Sequence, residues 1–241
     1  MHHTQTGRRC FALGDKAETK VRLPYMAWTR QPQGDGERRG YHHGNLREAL
    51  IEAARNLIAQ KGPAGFTFAD AARSAGVSSA APYRHYRDRD ALMADVGRRG
   101  FELFEQQLER AWNGGKPEPF KAFENLGRAY LDFARREPAF YSAMFEAGVP
   151  LDSDAGLRQA SERAFAVLRR ATEALSAHAP SGMRPPPALM MSLHIWALSH
   201  GIASLFARGD AGRRSLPMTP EDLLEAAVLV YLRGLGLIGE R

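Results

Sequence analysis

Residues 66–92 read FTFADAARSAGVSSAAPYRHYRDRDAL, and the fold turns on them. Thr67 precedes a short apolar run, the position and chemistry of a helix N-cap. Phe68, Ala71, Ala72 and Ala75 then recur at helical spacing and give that helix one apolar face. Gly76 follows, the residue type that adopts the left-handed conformation ending a helix. Ser78, two residues on, is a second N-cap candidate, so another short helix is predicted from about Ser79. Two helices joined by Gly76-Val77-Ser78 cannot run parallel. They must cross steeply, with Val77 plugging the crossing and the alanines permitting close approach, which is helix-turn-helix geometry.

The same periodicity extends outward in both directions. Upstream, Leu46, Leu50, Ala53, Leu57 and Ile58 form one stripe, with Asn45 as cap, Glu48 completing a capping box, and Gly62-Pro63 as the stop. Downstream, Asp88 caps a long helix bearing Leu92, Val96, Phe101, Phe104 and Leu108, which ends at Asn113-Gly114-Gly115. Five further helical segments follow, over about 123–133, 140–146, 157–175, 188–207 and 220–235, with Pro185-Pro186-Pro187 as a stiff connector. No alternating strand pattern competes. The expectation is an all-α chain of about nine helices: an N-terminal three-helix helix-turn-helix domain followed by a C-terminal helical bundle. The boundaries are a flexible basic arm over 1–40, the helix-turn-helix domain over 41–97 with its motif at 67–86, and the bundle over 98–241. Met26 stands as a second candidate start.

Composition narrows the function classes. Of 241 residues, 44% are hydrophobic and 25% charged, enough for a packed core and a solvated surface. Residues 1–97 hold 15 Lys/Arg against 10 Asp/Glu, a net of +5, whereas residues 98–241 hold 18 against 17. The field that attracts a polyanion therefore sits in the N-terminal part. Cys10 is the single cysteine, which precludes an internal disulfide and fits a reducing cytoplasm. No signal peptide or uninterrupted membrane-spanning run is read in the chain. His194 and His200 stand six residues apart, out of register for a metal-binding face on one helix, and GVSSA lacks the second glycine of a nucleophile elbow. No phosphate-binding glycine loop appears either. A DNA-binding protein is expected, with no enzyme chemistry, no cofactor and no metal.

The combination Thr67, Ala75-Gly76-Val77-Ser78, Tyr83-Arg84-His85-Tyr86 and Arg89 strongly resembles the DNA-binding module of the TetR family. The preceding YHHGNLREALIEAA resembles that family's first helix. Pro82 departs from the pattern, which often has an apolar helix former there, and so does Ala71, which replaces a larger aliphatic residue. The resemblance implies a sequence-specific transcriptional regulator, most simply a ligand-responsive repressor that binds a palindromic operator as a homodimer. Thr67, Ser78, Tyr83, His85 and Arg89 are then candidates for phosphate contact, and Ser79, Ala80, Ala81 and Arg84 for base edges, with Arg84 suited either to a guanine or to a phosphate. Tyr86 is expected to pack inward. Arg38, Arg39, His42 and His43 are candidates for an arm along the DNA backbone or minor groove. The alternatives are a non-specific or architectural DNA-binding protein and a helical adaptor.

The C-terminal part is expected to pair with a second copy and to hold a small effector. Residues 188–209 are apolar all round, and Trp196, His200 and Gly201 resemble a subgroup of the family with a Trp-His-Gly C-terminal segment. Leu224, Val228, Tyr231 and Leu235 form one stripe of the last helix and are the candidates for dimerisation. Trp112, Phe123, Tyr130, Phe133, Phe140 and Met144 are candidates to line an effector cavity, together with Phe165, His194, Trp196 and His200. Such a lining implies an apolar or aromatic small molecule.

Overall fold

The computed structural model describes residues 46–180, 182, 184–206 and 217–238. The expected cap Asn45, the arm over 1–40 and its residues Arg38, Arg39, His42 and His43 lie outside the described residues. Eight α-helices carry the fold: α1 (Leu46–Lys61), α2 (Phe68–Ser74), α3 (Arg89–Trp112), α4 (Pro119–Arg136), α5 (Pro138–Phe145), α6 (Ala155–Ala177), α7 (Ala188–Phe206) and α8 (Pro220–Gly234). The ninth expected helix, the one after Ser78, is a single 3-10 turn over Ala81–Arg84. Pro82 explains the difference. An α-helix capped at Ser78 needs the amide of residue 82, which proline lacks, so the chain closes tighter bonds instead, from Ala81 N–H to Ser78 O and from His85 N–H to Pro82 O.

The other boundaries follow from local chemistry. Asp88 caps α3 by accepting from Ala91 N–H at 2.8 Å, and Asn113 ends it with φ 45°. Prolines stand in the first turns of α4, α5 and α8, where their missing amide is harmless. α3 is the spine, packing against α1, α4, α5 and α6, and it runs unbroken through residue 97, where a domain boundary was expected. Leu50, Ile58, Leu92, Met93 and Phe133 are fully enclosed, each stabilising the fold by about 1.5–3 kcal/mol.

The spine and α5 touch where side chains are absent. A Cβ at Gly100 would stand 2.8 Å from Met144 Sδ and 3.2 Å from Phe140 Cβ. Gly100→Val is therefore expected to lower stability by about 1–3 kcal/mol in urea denaturation. An unchanged midpoint would mean that α5 gives way freely.

Candidate nucleic-acid interface and interior cavity

The corner after α2 is built by two local motifs. Thr67 Oγ1 accepts from Asp70 N–H at 3.1 Å while the Asp70 carboxylate accepts from Thr67 N–H at 2.9 Å, a capping box. The bonds this carboxylate accepts from Thr67 N–H and from the Thr67 hydroxyl hold it below the usual carboxylate range. At the other end Val77 N–H reaches Ala72 O and Gly76 N–H reaches Arg73 O, with Gly76 at φ +71°. That is a Schellman ending, and it needs a residue free of Cβ strain at position 76.

Beyond the corner the chain offers a face with few contacts in its own subunit. Ser78, Ser79, Ala80, Arg84 and His85 are exposed, and Tyr83 is 61% exposed while its ring meets Phe68 edge-on at 5.0 Å. Ala81 is half-buried and Pro82 is enclosed, so the two anchor the turn rather than present it. Among the described residues Arg84 has no ion-pair partner, whereas Arg73 pairs with Asp70 and Arg87 with Asp88. Thr67 is exposed, but its hydroxyl is committed to the capping box.

Arg89 differs from the expectation. Its Nε donates to Phe66 O at 3.0 Å, its Nη2 to Pro63 O and its Nη1 to Asp90, and its guanidinium lies over the Phe66 ring. The α1–α2 loop turns two carbonyls toward position 89, and the arginine answers them instead of projecting outward. It braces the corner.

Sequence reasoning missed the polar hub behind this face. The Asp95 carboxylate, 4% exposed, accepts from Arg47 Nε at 2.7 Å, from Tyr86 Oη at 2.6 Å and from Arg98 Nε at 2.8 Å. Burial raises the Asp95 pKa, but the bonds from Arg47, Tyr86 and Arg98 outweigh it and leave the carboxyl below its ordinary value. Burial, then the bond to Asp95, pushes the Tyr86 hydroxyl well above its ordinary value. Tyr86 packs inward as expected. The hub ties α1, the end of the 3-10 turn and α3 to one point. A carboxylate between Leu92 and Val96 on an otherwise apolar stripe was the available signal.

A cavity of about 350 Å³ opens between α3, α4, α6, α7 and α8. Of the residues expected there, Phe123, Tyr130, Phe165 and Trp196 line it; Phe101 and Phe104 join them. The rest lie elsewhere. Trp112 packs on Gly115, Phe133 on Phe104, and Met144 under Gly100. His194 is exposed and meets Tyr231 Oη at 3.0 Å. His200 stands behind the wall, its Nδ1 3.2 Å from Tyr130 Oη and 2.7 Å from Tyr141 Oη. Burial lowers its pKa, with Glu146 opposing, so the ring meets the two hydroxyls as a neutral imidazole.

One face of the α7–α8 pair is open. Leu189, Leu193, Ala197, Gly201 and Leu205 are exposed at every fourth residue of α7, and a Cβ at Gly201 would meet nothing within 4 Å. On α8 the exposed positions include Ala226 and Val230, the latter 71% exposed. The expected dimerisation stripe is offset from this face. Leu224 is 4% exposed, Leu224 and Val228 line the cavity, and Tyr231 and Leu235 are half-buried against the core. The amphipathic stripe of α8 covers its own subunit because the cavity walls need it. α7 is also long and apolar enough, by length and composition alone, to cross a membrane, which the sequence reading did not find. Two of its serines turn back onto its own carbonyls, Ser192 to Ala188 and Ser199 to Ile195, and its buried side packs against α6 and α8.

Comparison with known proteins agrees with this architecture. Residues 50–96 match the family of bacterial regulatory proteins, tetR family, and residues 123–231 match the tetracyclin repressor-like C-terminal domain. No curated protein sequence matches the chain. A solved protein of unknown function from Rhodococcus sp. RHA1 is 30% identical, with TM-score 0.67 over 81% of this chain and 98% of that one. The TetR family transcriptional regulator PfmR from Thermus thermophilus shares the fold at 18% identity, TM-score 0.60, over 80% and 99% of the two chains. A tetR-family regulatory protein from Rhodococcus RHA1 does so at 18% identity, TM-score 0.62, over 80% and 98%. Matched at both ends by family models, and bearing at Gly76 the corner on which its reading face depends, the chain belongs to the TetR family of DNA-binding transcriptional regulators.

Proposed function

We propose that the protein is a ligand-responsive repressor that binds a pseudo-palindromic operator as a homodimer in the cytoplasm, with no membrane partner. Residues 41–97 act as the reading head and 98–241 as the effector and pairing body, joined by the shared spine α3. The observation that carries this reading is the exposed strip Ser78, Ser79, Ala80, Tyr83 and Arg84, held on a rigid corner and little used by its own subunit. Small residues at 78–80 let the turn sit deep in a major groove. Tyr83 and His85 stand where a hydroxyl and an imidazole reach phosphates. One 3-10 turn spans few base pairs, so useful affinity requires two copies, with half-sites about 34 Å apart or a multiple of that.

Selection of bound sequences from random duplex DNA tests the reading. A palindrome with two half-sites is the expected result; equal affinity for scrambled duplex would turn the protein into a non-specific DNA binder. Arg84, the cation left without an ion-pair partner on the strip, is proposed to read a guanine. Arg84→Ala is expected to cost about 1–3 kcal/mol of operator affinity and to relax preference at one position per half-site. A uniform loss across all sequences, with a shallower salt dependence, would reassign it to phosphate.

A further inference from the structure

We propose that the interior cavity takes an uncharged, mainly apolar ligand with no more than one or two hydrogen-bonding groups, and excludes carboxylates and amines. This rests on the effector reading above and adds the chemical class. The volume, about 350 Å³, lies at the small end of the roughly 300–1,000 Å³ typical of small-molecule pockets. Its walls are aromatic and aliphatic, with Phe104 and Tyr130 edge to face at 5.1 Å, which favours flat or compact apolar bodies.

The charged groups around the cavity decide the class. Glu124, Arg128, Glu162, Glu221 and Glu225 all border it, and each already has a counter-ion. Glu124 holds Lys121 at 2.6 Å and Arg128 holds Glu225 at 2.9 Å. Glu221 lies 4.0 Å from Arg135, and Glu162 3.9 Å from Arg158. The deeper polar groups are spoken for as well: Tyr130 by His200, Ser199 by Ile195 O. Among the described residues no buried side-chain nitrogen or oxygen lacks a hydrogen-bond partner. An ionic ligand would leave water for a site whose bordering charges are already paired, and burying an unpaired charge is strongly unfavourable. A neutral ligand leaves every existing pair intact.

The test uses one skeleton in three charge states: 2-naphthalenemethanol, 2-naphthoate and 2-naphthylmethylammonium, titrated calorimetrically into the full chain at pH 7. The alcohol is expected to bind, and each ion to bind at least about 100-fold more weakly. An ion that binds as tightly as the alcohol, or an alcohol that does not bind, overturns the proposal. Glu225→Gln frees Arg128 at the rim and is expected to raise naphthoate affinity at least about tenfold, because the released guanidinium is then open to pair with the carboxylate. No gain would show that paired charges are not what keeps the anion out, and would count against the proposal. Ala164→Phe places a ring inside the cavity, with folding checked by circular dichroism. Alcohol binding that survives in the folded variant puts the ligand elsewhere and overturns the assignment. Operator release is measured separately. An alcohol that binds the cavity without releasing DNA supports the ligand class and sinks only the effector reading.

Discussion

Asp95→Ala is expected to destabilise the fold by about 3–5 kcal/mol and to abolish operator binding with it, because a buried ionic cluster that loses one partner leaves the others uncompensated. The carboxylate is almost wholly enclosed and receives three side chains, from α1, from the end of the 3-10 turn and from α3. The cost is not uniform among them. Arg47 is more than half exposed and recovers hydration, which places the loss toward the lower end. The Tyr86 hydroxyl is buried and would lose its acceptor, about 1–3 kcal/mol by itself. Arg98 keeps Glu102 as a second partner at 2.6 Å. Urea denaturation measures the sum, and a wild-type midpoint in the variant would show the hub to be dispensable. Acid gives an independent reading. A carboxyl whose folded pKa lies below its unfolded value near 4 contributes stability that is fully present above that value and is lost as pH falls through the folded one. Asp70 and Asp132 are shifted the same way, so the comparison is wild type against Asp95→Asn. The variant should start lower at neutral pH and lose less between about pH 4 and acid unfolding.

The hub also shows what a sequence conveys and what it withholds. Helix ends were legible because they are local: Thr67, Asp88 and Gly76 each do their work within five residues, and each stands where its side-chain chemistry placed it. Pro82 was legible as a disturbance, and the disturbance proved large enough to turn the expected helix into a 3-10 turn. Long-range partners were not legible. Nothing near Arg89 in sequence announces the carbonyls of Pro63 and Phe66, so a cation at the edge of the motif read as a phosphate contact. Nothing near Asp95 announces Arg47, 48 residues away.

The cavity and the open face divide along the same line. Apolar residues at helical spacing say that a face is covered, not by what. Tyr130, Phe165 and Trp196 face a void while Trp112 and Phe133 face packed side chains, and all five look alike in one dimension. The stripe Leu224, Val228, Tyr231 and Leu235 is a genuine amphipathic stripe: Leu224 is buried in its own subunit, and the other three are half-buried against it. The surface left over is found on α7, whose all-round apolar character was the stronger signal: one side of it is buried, and the other is exposed.

Ala197→Glu combined with Val230→Glu is expected to convert the proposed homodimer to a folded monomer and to lower operator affinity by about 10³-fold or more, the scale that separates specific from non-specific binding. Both positions lie on the open face, and neither borders the cavity. The ridge of every fourth residue on α7, with Ala197 and Gly201 at its middle, suits ridge-into-groove packing at close interaxial distance. A two-fold interface repeats each substitution, so two changes bring four carboxylates together in an apolar seam. Sedimentation reads the mass, circular dichroism the helices, and an operator titration the affinity. The reading head is untouched, so residual binding should resemble that of scrambled duplex and retain its salt dependence. A dimer that survives both glutamates would move the pairing surface off α7 and α8. The two reading heads would then be held at their half-sites by another face.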